Sequence, residues 1–356
     1  MNPAFTFAPS AVNREVVAQY QNPGPIQRPI KTTLVITECC NLDCRLCYGR
    51  CKDPKPRPEL SIEEWRRVTD DLAASGVIWL YIEGGEPFLK PGLVDFLADN
   101  THRMFTMVRT NGTLIDHLLA RRLKEIDVGI VLVDLWGATA ATHDALTATE
   151  GSFDRTVEGI RQLVAAGIET QLLFILNRHN VHELQAYCEL AGSLRATAVG
   201  ILRLYPLGEV RERWSELSLS LPEMSTAVAS VHPPPGVRIM QSWHPRNANC
   251  CWQMSALNAF GDSIGCAYLR EYVDFGNILQ EPFLQTWNHP LGHQLRSGRV
   301  ERSCGACADS QGSHGGCRST AYAFHGRFDA PDPFDLELND GIDLRSLPDR
   351  PARATR

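Results

Sequence analysis

From Lys31 onward, short β-branched runs alternate with longer segments whose apolar positions recur every three to four residues. That alternation predicts βα units around a parallel sheet. Six strands are predicted, at 32–37, 77–82, 104–109, 128–135, 169–176 and 198–204. The helices between them carry start and stop signals. Ser61-Ile62-Glu63-Glu64 reads as a capping box, and Gly76 and Gly167 stand where helices should end. Ser152-Phe153 opens a segment in which Val157, Ile160, Leu163 and Val164 keep helical spacing. Six such units would close most of a barrel or form a doubly wound open sheet. In either architecture ligand chemistry belongs at the carboxyl ends of the strands.

The unusual residues gather at those ends. Cys40, Cys44 and Cys47 follow the first strand and Gly84-Gly85-Glu86-Pro87 the second. Thr110-Asn111-Gly112-Thr113 follows the third, and Asp134, Trp136 and Gly137 end the fourth. Residues 1–30 read as an N-terminal arm and 31–220 as the barrel. The Pro-rich stretch 221–248 reads as a linker or irregular crossing, 249–338 as a second domain and 339–356 as a poorly packed tail.

Composition narrows the picture. The chain has 356 residues, 44% of them hydrophobic and 21% charged, which suits a globular protein larger than one simple core. A net charge of −6 argues against a nucleic-acid partner. With no long apolar run and no signal-peptide pattern, no membrane association is expected and a cytoplasmic location is. The 12 cysteines then need a purpose other than disulfides. Five fall between Cys39 and Cys51, Cys188 stands apart, and six lie between Cys250 and Cys317.

Three thiols spaced three and two residues apart can converge on one inorganic cluster and leave one iron without a protein ligand. A zinc loop, the alternative, usually draws on four ligands in paired CxxC spacing. Two glycines remove Cβ atoms where backbone must approach a ligand closely, and Glu86 could accept from an ammonium group.

On Cys40-x3-Cys44-x2-Cys47 and Gly84-Gly85-Glu86-Pro87, in that order within the βα pattern, residues 31 to about 208 resemble the core of a radical S-adenosylmethionine (SAM) enzyme. The resemblance implies a partial (β/α)6 TIM-type barrel. It implies that the three cysteines hold a [4Fe–4S] cluster whose fourth iron is chelated by SAM. Reductive cleavage would then give a 5′-deoxyadenosyl radical that removes hydrogen from an unactivated C–H bond. Gly84, Gly85 and Glu86 are implied to contact the methionine part of SAM, with Asn111, Asp134, Asn177 and Arg203 as further cofactor-binding positions. A reductant such as flavodoxin or ferredoxin is the implied partner. The chain departs from its relatives at Leu46, where an aromatic is common, and at Asp134-Leu135-Trp136-Gly137, where Ser-Leu-Asp-Gly is common.

The second cysteine group, Cys251, Cys266, Cys304, Cys307 and Cys317, resembles the auxiliary-cluster domain called SPASM or its shortened form, Twitch. Ser313 and Asp335 stand where a full SPASM domain has cysteines. One auxiliary [4Fe–4S] cluster is therefore expected. The alternatives are two clusters with oxygen ligands, or a zinc-bound or cluster-free remnant. Cys188 reads as a buried small hydrophobe, Cys39 and Cys51 as spare thiols, and Trp136 as core packing or the floor of a substrate pocket. The expected substrate is a modified peptide, or a sugar or other small molecule, undergoing oxidation, crosslinking or epimerisation. The competing reading is a non-enzymatic iron–sulfur or zinc protein on the same scaffold.

Overall fold

The computed structural model describes residues 28–53, 55–241, 254–296, 300–301, 316–336 and 339–354. Six strands lie within one or two residues of their predicted positions: β1 Lys31–Val35, β2 Trp79–Glu83, β3 Phe105–Thr110, β4 Ile130–Asp134, β5 Glu169–Ile175 and β6 Ala198–Leu202. Two more extend the sheet, β7 Arg238–Gln241 and β8 Met254–Leu257. The eight strands run in the order β7-β6-β5-β4-β3-β2-β1-β8, every pair parallel, in an open α/β sheet.

Both extra strands fall in stretches read otherwise from sequence. β7 lies inside 221–248, which also holds a helix over Leu221–Ala229 capped by Ser220 and Glu223. Its Pro222 sits in the first turn, where a missing N–H costs no helical bond. β8 lies inside 249–338 but pairs with β1 from Lys31↔Met254 to Leu34↔Leu257, so this stretch completes the sheet. The end of the chain is likewise tied down: Trp214 donates to the Leu344 carbonyl at 2.6 Å and the Ala354 amide to the Tyr272 carbonyl at 2.8 Å. No helix among the described residues is long and apolar enough to cross a membrane.

Helices cover the outer face of the sheet. Ser61 and Glu64 form the expected capping box on Ile62–Ala74, which buries Trp65, Val68 and Leu72 against the strands. Gly76 and Gly167 adopt positive φ just after their helices. On the inner face, Met107, Leu132 and Leu173 pack with Trp79, Tyr81, Phe105 and Ile130 in a small separate core. Side chains alternate faces along a strand, so the next inward positions are Glu83 on β2, Arg109 on β3 and Asp134 on β4. The lumen is thus apolar below and charged at its top.

The C-terminal stretch is locked onto the first loop by a buried ion pair, Arg270 to Glu38 at 3.0 Å. Removing one partner strands a buried charge. Arg270→Met should lower unfolding free energy by about 3–5 kcal/mol, with Glu38→Gln added to it recovering most of that loss. Denaturant titration checks this, and a single variant costing under about 1 kcal/mol would contradict it.

Candidate functional site

The thiol loop is held from three sides. Amides of Asp43 and Arg45 donate to the carbonyls of Thr147 and Leu146, at the end of the helix Ala140–Thr147. The Glu209 amide donates to the Cys47 carbonyl at 2.8 Å. Gly208, at φ +53°, lets its backbone lie so near Cys47 that a Cβ would come 2.6 Å from that carbonyl oxygen. From the sheet side, the Gly85 amide donates to Thr37 at 2.8 Å and the Glu86 amide to Cys39 at 2.7 Å. A Cβ on Gly85 would sit 2.0 Å from the Cys39 oxygen, which accounts for glycine there in steric terms.

These contacts bring Cys40, Cys44, Cys47, Gly84, Gly85, Asn111, Asp134 and Trp136 around one cavity with about 850 Å³ of empty space, including its solvent-open part. Among the described residues no three His, Cys, Asp or Glu side chains approach closely enough to hold a single metal ion. A tetrahedral zinc–thiolate site would need sulfurs about 3.8 Å apart. A four-iron cluster spreads its three ligands more widely, and three thiols around one roomy, glycine-walled cavity fit it.

Burial pushes the Cys40 thiol up to about 11 and Cys44 well above its usual value. Without a bound cation these two stay protonated, so a metal centre would release their protons as it binds. Cys51 lies 3.7 Å from Cys47, sulfur to sulfur. Their mutual hydrogen bond draws Cys47 down to about 6 and pushes Cys51 up. That contact is shorter than two different irons of one cluster would set between their thiolates, so Cys51 stands beside the trio without extending it.

Glu86 is placed differently from expectation. It is fully buried, accepting from the Thr110 hydroxyl (2.8 Å), the Asn111 amide (2.8 Å) and the Phe88 amide (3.1 Å), and it does not line the cavity. Its side chain therefore braces the glycine turn against the loop after β3. Asn177 is also turned away. It accepts from the His179 amide and donates to the Ile175 carbonyl, both at 2.9 Å, closing its own loop. Arg203 points to a smaller cavity and pairs with Asp332 at 2.6 Å. Cys266 and Cys317 are both buried. Cys251, Cys304 and Cys307 lie outside the described residues. Cys188 is fully buried in its helix.

Sequence reasoning missed Glu83, Arg109 and Tyr48. Arg109 meets Asp134 through Nε (2.9 and 3.1 Å) and approaches Glu83 at 3.7 Å; Tyr48 donates to Glu83 at 2.9 Å. The signal was present: Trp79, Tyr81 and Glu83 alternate with Leu80 and Ile82, so a charge stood at a lumen position.

The Radical SAM superfamily model matches residues 34–191. The mycofactocin maturase MftC of Mycobacterium ulcerans is 30% identical, over 86% of this chain and 88% of its own length. The Fe-coproporphyrin III synthase of Methanosarcina barkeri is 28% identical, over 84% and 85%. The crystal structure of Streptococcus suis SuiB bound to the precursor peptide SuiA superposes with a TM-score of 0.67 at 14% identity, over 90% of this chain and 78% of that one. At that identity the likeness concerns the fold.

Burial raises Glu86 to about 7 and Asp134 to about 6, from 4.5 and 3.8. The folded chain therefore binds more protons than the unfolded one over this interval, and stability contributed by the neutral acids is lost as pH rises from about 4 to 7. In Glu86→Gln the slope of unfolding free energy between pH 5 and 7.5 should flatten, by on the order of 3 kcal/mol across the interval. Denaturation of the metal-free protein at several pH values checks it, and an unchanged slope would contradict it. Gly85→Ala should cost about 3 kcal/mol, measured the same way.

Proposed function

The chain belongs to the radical SAM superfamily, and on that premise we propose that it abstracts hydrogen from an unactivated C–H bond of a natural-product precursor, a peptide in the first reading. The observation that carries this is the convergence of three cysteines and the bare backbone of Gly84 and Gly85 on one cavity. Cys40, Cys44 and Cys47 would hold a [4Fe–4S] cluster. With SAM bound, that cluster supplies one-electron cleavage of the sulfonium to a 5′-deoxyadenosyl radical.

The chain's own residues position and shield. Gly84 and Gly85 give a bound amino-acid moiety a close approach to the backbone at the cavity wall, while Glu86 keeps that turn rigid from behind. Asn111 and Asp134 present polar groups on the cavity wall. Trp136, its amide donating to His143 at 3.0 Å, supplies an apolar wall that keeps water from a reactive carbon. Burial lowers His143 to about 4, so this support is neutral at physiological pH. Cys266 and Cys317, with cysteines outside the described residues, would hold one auxiliary cluster.

The maturase relative supports the peptide reading; the Fe-coproporphyrin III synthase relative favours a small-molecule substrate as the second reading. Anaerobic reconstitution with iron and sulfide, followed by SAM and dithionite, should yield 5′-deoxyadenosine. Replacing Cys40, Cys44 and Cys47 together by Ala should abolish it and leave about four irons per chain, whereas Cys51→Ala should retain both product and iron. Product from the triple variant, or none from wild type, would overturn the reading.

A further inference from the structure

One member of the thiol trio has a second thiol at its side. The sulfurs of Cys47 and Cys51 lie 3.7 Å apart. Both residues are half-buried, and both line the main cavity, which opens to solvent. Cys40 is engaged elsewhere, its sulfur accepting from the Leu42 amide at 3.4 Å and from the Asn111 side chain at 3.9 Å. Cys51 has no part in the proposed reaction.

The chain is shaped to hold that pair. The turn between the two cysteines is fixed at both ends: the Glu209 amide donates to the Cys47 carbonyl at 2.8 Å, and the Lys55 ammonium to the Cys51 carbonyl at 3.1 Å. Inside it Arg50 adopts φ +48°, the left-handed conformation of a tight turn. A Cβ at Gly49 would lie 3.3 Å from the Cys51 sulfur and 3.0 Å from the Arg270 guanidinium. Glycine there leaves the sulfur room to lie against its neighbour, while Arg270, itself held by Glu38 at 3.0 Å, closes the far side. A disulfide needs its sulfurs about 2.0 Å apart, so about 1.7 Å must be closed from the observed 3.7 Å. Rotation about the two Cα–Cβ bonds reaches that far without moving the anchored backbone.

We propose that Cys47 and Cys51 form a reversible disulfide in the cluster-free chain, which stores the Cys47 ligand under oxidising conditions and withholds it from iron until a dithiol reductant returns it. Peroxide is the oxidant. One thiol attacks the O–O bond of hydrogen peroxide, giving a sulfenic acid and one water; the other thiol then displaces a second water as the S–S bond forms. The two thiols lose two electrons and two protons, and the peroxide takes up both. A dithiol reverses the step by exchange and leaves as its own disulfide. While the bond stands, Cys40 and Cys44 are too few to hold a four-iron cluster built on three thiolates. Once such a cluster is bound, the Cys47 sulfur is committed to iron and the pair cannot close. The consequence for iron rests on the metal reading of Cys47; the bond itself does not.

The test uses the full chain, freed of iron by a chelator, reduced with dithiothreitol and desalted without oxygen. Hydrogen peroxide is added, free thiols are blocked with N-ethylmaleimide, and tryptic peptides are weighed by mass spectrometry. Cleavage after Arg45, Arg50 and Lys52 puts the two cysteines in separate peptides, 46–50 and 51–52. The expected product is an adduct of those two that dithiothreitol dissolves. Its absence, or a dominant link from Cys47 to Cys40 or Cys44, would overturn the proposal. In Cys51→Ser the same peroxide dose should leave peptide 46–50 oxygenated, in part as a sulfinic acid that dithiothreitol does not reverse. After dithiothreitol and anaerobic reconstitution, oxidised wild type should regain the iron content of protein never oxidised. Cys51→Ser, which loads normally when never oxidised, should regain roughly half or less. Equal recovery by the two would overturn the storage role. Should Cys51→Ser fail to fold, the wild-type peptide map still decides. Adduct formation with no cluster in reduced, reconstituted wild type would sink the metal reading alone; a full cluster without the adduct would sink this inference alone.

Discussion

The structure depends on one close backbone contact, the docking of Gly84-Gly85-Glu86 onto Thr37–Cys39. Two hydrogen bonds of 2.8 and 2.7 Å join the end of β2 to the start of the thiol loop. The gap between them is too narrow for any side chain at Gly85. This contact carries the register of β1 and β2 past the end of the sheet, so the loop's sulfurs have a fixed position relative to the strands. The remaining supports act on a loop already placed: the helix end at Leu146 and Thr147, the turn at Gly208, and the Arg270–Glu38 pair.

From that rim downward the barrel divides by polarity. The thiols and glycine backbone line the larger cavity, charged residues top the lumen, and a smaller arginine- and tyrosine-lined cavity shares Tyr48 and Arg109 with it. Burial holds Cys40 and Cys44 protonated and raises Glu86, because water is too scarce at the rim to stabilise their charges. The same scarcity strengthens the Arg109–Asp134 contact. A cationic centre entering the cavity would compensate the charge of ionised thiols and acids, which is why a site with raised thiols and acids is consistent with one built for ligands.

Much of this was legible in the sequence. Six strands, the Ser61 capping box and the gathering of Cys40, Cys44, Cys47, Gly84 and Gly85 followed from periodicity, turn chemistry and the rule that βα sites lie at strand ends. What was not legible has physical causes. β7 and β8 are four residues each, too short to show alternation, and their neighbours are separated by long stretches of chain. The direction of Glu86 depends on Thr110 and Asn111, which a local reading of the glycine motif does not contain. Asn177 and Arg203 stood at strand ends, where cofactor contact was expected. One closes its own turn and the other is drawn to Asp332, 129 residues away. The charged top of the lumen was encoded by strand parity, but pairing Arg109 with Asp134 and Glu83 required the register.

The central claim is that three sulfurs hold iron while leaving one iron for SAM. The most direct measurement is electron paramagnetic resonance of the reduced, anaerobically reconstituted protein, with and without SAM carrying isotopic labels on its amino and carboxylate groups. The account predicts a changed cluster signal and a magnetic coupling between that cluster and the labelled atoms, lost when Cys40, Cys44 and Cys47 are replaced. A signal indifferent to SAM, with no coupling to either label, would contradict it.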